Sequence, residues 1–477
     1  MSAPATRPRI LFATNVERGQ CGVFLATVNA LLRSRPEADL HLASFPSLEK
    51  EVRSISDEAV RVKAGTKPVA FHAIQGQTHA EAVVARNAEK YGEGSAVPPP
   101  AFSRPLDAST TMATIRDLCS YLLGWDGPGF MQVYESVSGI IQAVQPDLII
   151  VDVLLSPAIS AAWNSGVKFS YLSPNAIKDF AASYQPLAMM WKWPALMSGY
   201  DYPVPWYQKP MNVYHYLYMV YQILKEPGLA ETKRYVEEKT GKPMRCLMNT
   251  GKSLPDDVKI FVGTLPELDF PLKSHPRIED RAVELAKGLN MAIGQIEGKT
   301  HLGPPLQVLW KLKKDGEYDA TGTASKVRAA FGGKMDDDRI RIVDWLDSSP
   351  LAVLKSGNVV CAVHHGGASS YNEAILAGIP HVVLPFWTDC YEYANRVEML
   401  GIGRKGTRKR QPVFEATEFS EVLLEVIDGK NSESMGENAR ALAELCKKNG
   451  NGPDIAARGI LKLAAEAATD ASKETTA

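Results

Sequence analysis

Between Val359 and Gly403 the chain reads VVCAVHHGGASSYNEAILAGIPHVVLPFWTDCYEYANRVEMLGIG, an order of residues that few backbones accommodate. An apolar run of strand type, Val359 to Val363, leads into a turn with paired glycines from His364 to Ser369 and then into helical character from Ser370 to Ala377. Gly378 stands where a C-cap glycine belongs, Pro380 blocks continuation, and His381 to Leu384 reads as the next strand. Such a strand-helix-strand unit points the unpaired amides and the positive dipole end of its helix beyond the sheet edge. Gly366 and Gly367 let a ligand approach that backbone closely, and phosphate is the natural guest.

A plainer reading of the same residues is a capping box, with Ser370 and Glu373 spaced as S-x-x-E. The neighbours favour a ligand site: His365 and Ser369 in the turn, Ser370 at the helix start, Glu373 one turn in and Asp389 after the following strand. All of these fall at the C-terminal edge of a parallel sheet, where ligands bind in open α/β folds.

This run resembles the donor-site signature of family 1 UDP-sugar glycosyltransferases, and its wording is closest to filamentous-fungal members. The resemblance implies a GT-B fold, two facing Rossmann-like parallel-sheet domains with a C-terminal helix returning to the first. It also implies roles residue by residue. The motif histidine falls on His365, the phosphate-binding serine on Ser370, the ribose-binding glutamate on Glu373 and the sugar-contacting acid on Asp389. The indole that stacks on uracil falls on Trp345, in RIRIVDWLDSSPLAVL. Cys390 stands where the family often has glutamine, which leaves the sugar open, with glucose the default. The implied reaction moves a hexose from a UDP-sugar to a hydroxyl of a hydrophobic small molecule, with inversion and with no cofactor beyond the UDP-sugar as co-substrate.

At 477 residues the chain suits two domains of roughly 200 residues each. A net charge of -1 supplies no basic stripe of the density nucleic acid requires, and the run Arg404 to Arg410 reads as a solvated loop. The six cysteines are scattered, with no C-x-x-C pair, so reduced thiols in a cytoplasmic protein are expected. His364 and His365 are adjacent and no second cluster completes a ligand set, so no metal site is expected. No apolar run reaches the roughly 18 residues of a membrane span.

Strand-like runs recur at Ile10 to Thr14, Asp39 to Ser44, Leu148 to Val153, Lys168 to Leu172 and Val258 to Val262. A second series follows at Leu306 to Leu312, Arg339 to Val343, Val359 to Val363 and His381 to Leu384, with helical stretches between. On the resemblance, residues 1–264 form the acceptor-binding domain, 265–278 the linker, 279–452 the donor-binding domain and 453–477 a returning helix and disordered tail. The family opens its donor domain with a strand and a glycine-serine loop. Here LPELDFPLKSHPRI passes straight into EDRAVELAKGLNMAI, so roughly thirty residues or more, the strand-and-loop part of a βαβ unit, are expected to be absent after Ile278. A central strand would then be missing from the second sheet and its neighbours exposed.

In the first half, Ile10 to Thr14 opens into NVERGQCGVF, a loop with Gly19 and Gly22 ahead of an apolar helix. The family places its catalytic histidine there, and this chain has Gln20. Glutamine takes no proton at neutral pH, so general-base catalysis, ordinarily worth about 10²- to 10⁴-fold, must come from elsewhere. The family's orienting acid is Asp152, which either acts directly or through water, or caps the following helix. His72, His79 and His41 are the other candidate bases, with His72 foremost. The densest aromatic stretch, Trp191 to Gln222, suggests a wall for a phenolic, polyketide or sterol-like acceptor, or else ordinary core packing.

Two rival classes stay open: a catalytically impaired UDP-sugar-binding relative, favoured by Gln20 and the missing loop, and a UDP-sugar epimerase of similar architecture. A nicotinamide dehydrogenase fails because ERGQCG offers only Gly19 and Gly22 in place of G-x-G-x-x-G. A phosphate-loop ATPase fails because Cys246 replaces the leading glycine before NTGKS.

Overall fold

The computed structural model describes residues 8–35, 37–92, 100–175, 189–247, 258–262, 306–312, 325–335, 339–386, 389–409, 411–450 and 452–474, with isolated positions at 254, 287, 289–293, 295–296 and 322. The expected linker and the expected gap after Ile278 lie outside these residues. The first half rests on one parallel sheet of β1 (Arg9–Ala13), β2 (Asp39–Ser44), β3 (Ala70–Ala73), β4 (Leu148–Asp152), β5 (Phe169–Ser173) and β6 (Ile260–Val262). Their spatial order is β3-β2-β1-β4-β5-β6.

The central strands are apolar at successive positions because helices cover both faces. Leu11, Ala13, Ile149 and Val151 turn to one side, in a core shared with the helices Gly127–Val144 and Ser156–Ser165. Ile10, Phe12, Leu148 and Ile150 turn to the other, against the helix Arg18–Ser34 and the last helix, Gly452–Glu474. Ala456, Ala457, Ile460 and Ala464 of that last helix are buried there, so the chain's end returns to its first half. The helix runs to Glu474, so nearly all of 453–477, tail included, is helical.

The second half holds two sheets among the described residues. β7 (Val308–Lys311) pairs with β8 (Ile340–Val343), and β9 (Ala362–His364), β10 (His381–Val383) and β11 (Gly403–Lys405) make a separate parallel sheet. Compared with the first half, the strands present correspond to the third and second on one side and the fourth, fifth and sixth on the other. The place of a first strand between them is open among the described residues. Leu309, Val360 and Val363, on or beside the edge strands β7 and β9, are 49%, 54% and 37% exposed.

Three sequence expectations change here. The basic run is not a solvated loop: Gly403 to Lys405 is β11, Lys405 is buried, and Arg404 pairs with Glu425 at 2.7 Å. Gly19 and Gly22 are not in a loop, because the helix begins at Arg18. β3 is a strand that the pattern did not reveal, since AFHA is short and lies at the sheet edge.

The halves meet around Tyr200–Tyr202. Asn395 accepts from the Tyr202 amide at 3.2 Å and donates to the Tyr200 carbonyl at 3.1 Å. Asp201 receives the buried Lys405 and, at 3.2 Å, Arg408. Leu106 N–H donates to the Gln411 carbonyl at 2.8 Å.

β9 allows a direct test of whether its second edge is covered. The Ala362 amide bonds the Pro380 carbonyl at 2.9 Å, on the β10 side, so the Val363 amide faces the other way. Hydrogen exchange followed by NMR should find Val363 exchanging at least about ten times faster than Ala362; equal protection would show that the edge is covered.

Candidate functional site

The donor-side turn is fixed by crowding. Gly366 has φ +92°, and a Cβ there would sit 2.9 Å from both the Cys390 carbonyl oxygen and Val383 Cγ1. Only glycine combines that dihedral with that space. The space beside Gly366 is therefore filled by the chain's own backbone and not by a ligand, which corrects the simple reading of this glycine. The turn also presses the His365–Ser370 segment against the start of the Asp389 region.

The following helix begins at Ala368, with Gly367 as N-cap, and ends at Ala377 with Gly378 in the left-handed region at φ +70°. Ser370 is thus not the N-cap and the capping-box reading fails; it lies in the first turn, ahead of the first intrahelical bond, from the Tyr371 amide to the Gly367 carbonyl at 2.8 Å. The amides of Ala368, Ser369 and Ser370 precede that bond and form the anion-attracting end of the helix. Ser369 is exposed, while Ser370 and Glu373, three residues apart on one face, are half-buried.

The two adjacent histidines have different surroundings. The Gly366 amide donates to His364 Nδ1 at 3.0 Å, and His364 Nε2 lies 3.0 Å from His381 Nδ1. With Nδ1 accepting, Nε2 of His364 carries the proton and donates to His381. Burial holds both rings neutral: His381 is pushed down to about 3, and His364 well below its ordinary value, first by burial and then by His381. His364 is therefore a structural clasp between β9 and β10. His365 remains half-buried at the turn.

Asp389 is buried at the N-cap of the helix Cys390–Met399, and Cys390 is fully buried. Trp345, on the loop after β8, is 67% exposed, with the Lys311 ammonium 3.7 Å from its ring centroid. One face of the indole is thus covered by a cation. Among the described residues no group of three or more His, Cys, Asp or Glu side chains could hold a metal.

On the first-half side, Asp152 is buried and both its carboxylate oxygens are engaged by neighbours. Oδ2 accepts from Thr14 Oγ1 and from the Asn15 amide, both at 3.1 Å, and Oδ1 accepts from the Leu154 amide at 2.9 Å. It is not a cap of the helix that starts at Ser156, whose N-cap is Leu155. Burial pushes its carboxyl up to about 6, against the three hydrogen bonds, with Glu17 adding a small upward push. Gln20 sits in the first turn of its helix, its amide 2.7 Å from the Glu17 carbonyl and its Oε1 buried with no hydrogen-bond partner among the described residues.

His72, level with Ala43 in the sheet, is engaged by another histidine. His72 Nε2 lies 2.9 Å from His41 Nδ1, and His41 in turn faces Asp39 at 3.4 Å, near the other end of β2. His79 is buried against Trp125, with ring centroids 5.2 Å apart. In the aromatic stretch, Trp206, Tyr207, Tyr214 and Tyr221 are exposed, so these four rings are not core packing. Sequence reasoning missed Glu17, whose Oε1 accepts from the Ala80 amide at 3.0 Å, and the His364–His381 clasp; a lone acid before a helix and two histidines 17 residues apart carry no local signal.

Comparison with known proteins places this geometry. Residues 331–446 match the family described as erythromycin biosynthesis protein CIII-like, C-terminal domain. The chain is 28% identical to glycosyltransferase sdnJ of Sordaria araneosa over 94% of this chain and 96% of that one. The fold matches Os79 from O. sativa, solved in complex with UDP, with TM-score 0.54 and 18% identity over 96% of this chain and 100% of that one. These similarities support a family 1 glycosyltransferase with the GT-B fold. The chain is also 37% identical to a sterol 3-beta-glucosyltransferase of Leptosphaeria maculans, over 21% of its own length and 6% of that protein. No helix among its described residues is long and apolar enough to cross a membrane.

The raised Asp152 carboxyl makes a pH prediction. Its folded value, about 6, lies above the ordinary 3.8, so its contribution is fully present below 3.8 and is lost as pH rises through 6. The amide introduced by Asp152→Asn does not titrate. The urea midpoint of the native protein relative to that variant should therefore fall between pH 4 and pH 7; a pH-independent difference would mean that the carboxyl keeps its ordinary value.

Proposed function

We propose that the chain is a glycosyltransferase that moves a hexosyl group, glucose by default, from a UDP-sugar to a hydroxyl of a hydrophobic small molecule. The observation that carries this reading is the Gly366–Ser370 turn, which sets His365, the Ser370 hydroxyl and three first-turn amides at one sheet edge. A diphosphate is the ligand whose charge that arrangement meets. The Os79 complex with UDP supports a uridine nucleotide at the donor side, and the sterol glucosyltransferase supports an apolar acceptor.

In the proposed reaction the acceptor oxygen forms a bond to the anomeric carbon from the face opposite UDP. The bond from that carbon to the diphosphate oxygen breaks, and its electron pair leaves with UDP. The helix amides, His365 and Ser370 stabilise that departing charge. Trp345 stacks its free face on uracil, Glu373 accepts from ribose hydroxyls and Asp389 accepts from the sugar once the site opens to admit it. Gly367, Ser369 and Cys390 complete the donor lining as positioning residues.

The acceptor hydroxyl gives up its proton to solvent water. Gln20 cannot take it, and Asp152 is committed to Thr14, Asn15 and Leu154. The chain therefore supports a second reading, a donor-binding relative with slow transfer, for which the same two observations speak.

Calorimetry with UDP tests the donor reading. His365→Ala and Ser370→Ala should each weaken binding by about 10-fold or more, since each removes a hydrogen bond to a charged group. Unchanged titration would remove the donor assignment. Transfer itself is tested by Gln20→His with UDP-glucose and a panel of phenols and sterols. An added imidazole should raise turnover by about 10²-fold or more while UDP affinity stays fixed; no increase would place the missing base elsewhere.

A further inference from the structure

The helix Lys209–Lys225 is amphipathic with its faces reversed. It packs against the helices Ala108–Leu123 and Met189–Lys192, yet the two residues it buries fully are Asn212 and His215. Asn212 is completely used: Oδ1 accepts from the Ala195 amide at 2.7 Å, and Nδ2 donates to the Met190 and Trp193 carbonyls, both at 2.8 Å. The His215 ring stacks on Tyr200 with centroids 5.9 Å apart. The inward face is thus a polar latch.

The outward face is apolar. Met211, Tyr214, Leu217, Tyr221 and Leu224 are 39%, 49%, 57%, 55% and 78% exposed, and Trp206 just ahead of the helix is 80% exposed. Their spacing of three and four residues puts them on one stripe. Surface apolar residues are ordinary when scattered; a continuous stripe headed by an indole is the mark of an interaction surface.

Charge selects the occupant. From Tyr202 to Lys225 the sequence holds no aspartate or glutamate, Lys209 and Lys225 stand at the two ends of the helix, and Glu226 follows at its C-cap. Asp201, just before Tyr202, is engaged by Lys405 and Arg408 from the second half. An apolar stripe with phenol and indole tips and a lysine at each end of its helix matches the surface of an anionic bilayer. Leucine and methionine reach the acyl chains there, aromatic rings lie at headgroup depth, and ammonium groups meet phosphates. A second copy of the chain fits less well, because an isologous contact on this face would bring lysines together with no carboxylate inside the patch to answer them.

We propose that the Trp206–Leu224 face is a peripheral docking surface for anionic phospholipid bilayers. The helix lies in the plane of the interface and does not span it.

The test uses the full chain with vesicles of equimolar phosphatidylcholine and phosphatidylserine, and with phosphatidylcholine alone. The native protein should sediment with the first, much less with the second, and be released by high salt. Leu217→Asp with Leu224→Asp should cut the bound fraction about 10-fold or more at an unchanged circular dichroism spectrum, since both positions are exposed. Lys209→Gln with Lys225→Gln should weaken only the phosphatidylserine-dependent part. Vesicle binding that survives the Leu→Asp changes would overturn the proposal. So would absence of binding, whether sedimentation velocity then finds a monomer or a dimer that the same changes dissociate.

Discussion

The Gly366 turn has room for a hydrogen atom and nothing larger, and the donor side of the molecule is organised around that fact. Its positive φ turns the chain out of β9, and its closeness to the Cys390 backbone ties the helix Ala368–Ala377 to the start of the helix Cys390–Met399. The Gly366 amide is in turn held by His364, which is held by His381. One turn thus joins two strands and two helices, and the first-turn amides inherit its rigidity. A binding site for a diphosphate needs such preorganisation, because amides already aimed at the charge need no reorganisation when it arrives.

The opposite side shows the same economy without the same outcome. In a chain with an imidazole at position 20, a buried acid at the end of β4 would have a ring to orient. Here Asp152 has taken other partners, tying the end of β1 to the end of β4 through Thr14 and Asn15. Three hydrogen bonds do not fully offset the burial of its charge, which is why its carboxyl rises to about 6. What remains is a strut. A carboxylate that has become structural is not easily recovered for catalysis, since any ligand must displace bonds that the fold uses.

Much of this was legible from residues alone, for a physical reason. Strands buried on both faces, such as Phe12 to Ala13 or Ile149 to Val151, are continuously apolar, so β1 and β4 read directly. Edge strands carry no such requirement: β3, with His72 among small residues, and β11, inside a basic run, look like loops until their neighbours are known. Lys405 illustrates the limit, since its burial depends on Asp201, 204 residues away. The aromatic stretch shows another. Its composition signals contact with something apolar, but which face of the Lys209–Lys225 helix packs inward is decided by Asn212, whose three bonds to Met190, Trp193 and Ala195 outweigh the pull of the leucines. Once that latch is closed the apolar stripe has nowhere to turn but out.

The divided second sheet bears on how donor affinity and stability are linked. β9 carries the turn that organises the site, yet among the described residues it is paired only with β10. Among the described residues no strand pairs with its other side, and Val360 and Val363 are partly exposed. The His364–His381 bond and the Gly366–Cys390 packing compensate by anchoring β9 from its C-terminal end, where the ligand would bind. A diphosphate drawn to the helix start would pull on the same junction from outside and hold β9 in place. Ligand binding and completion of the sheet then act on one strand, so each lowers the cost of the other.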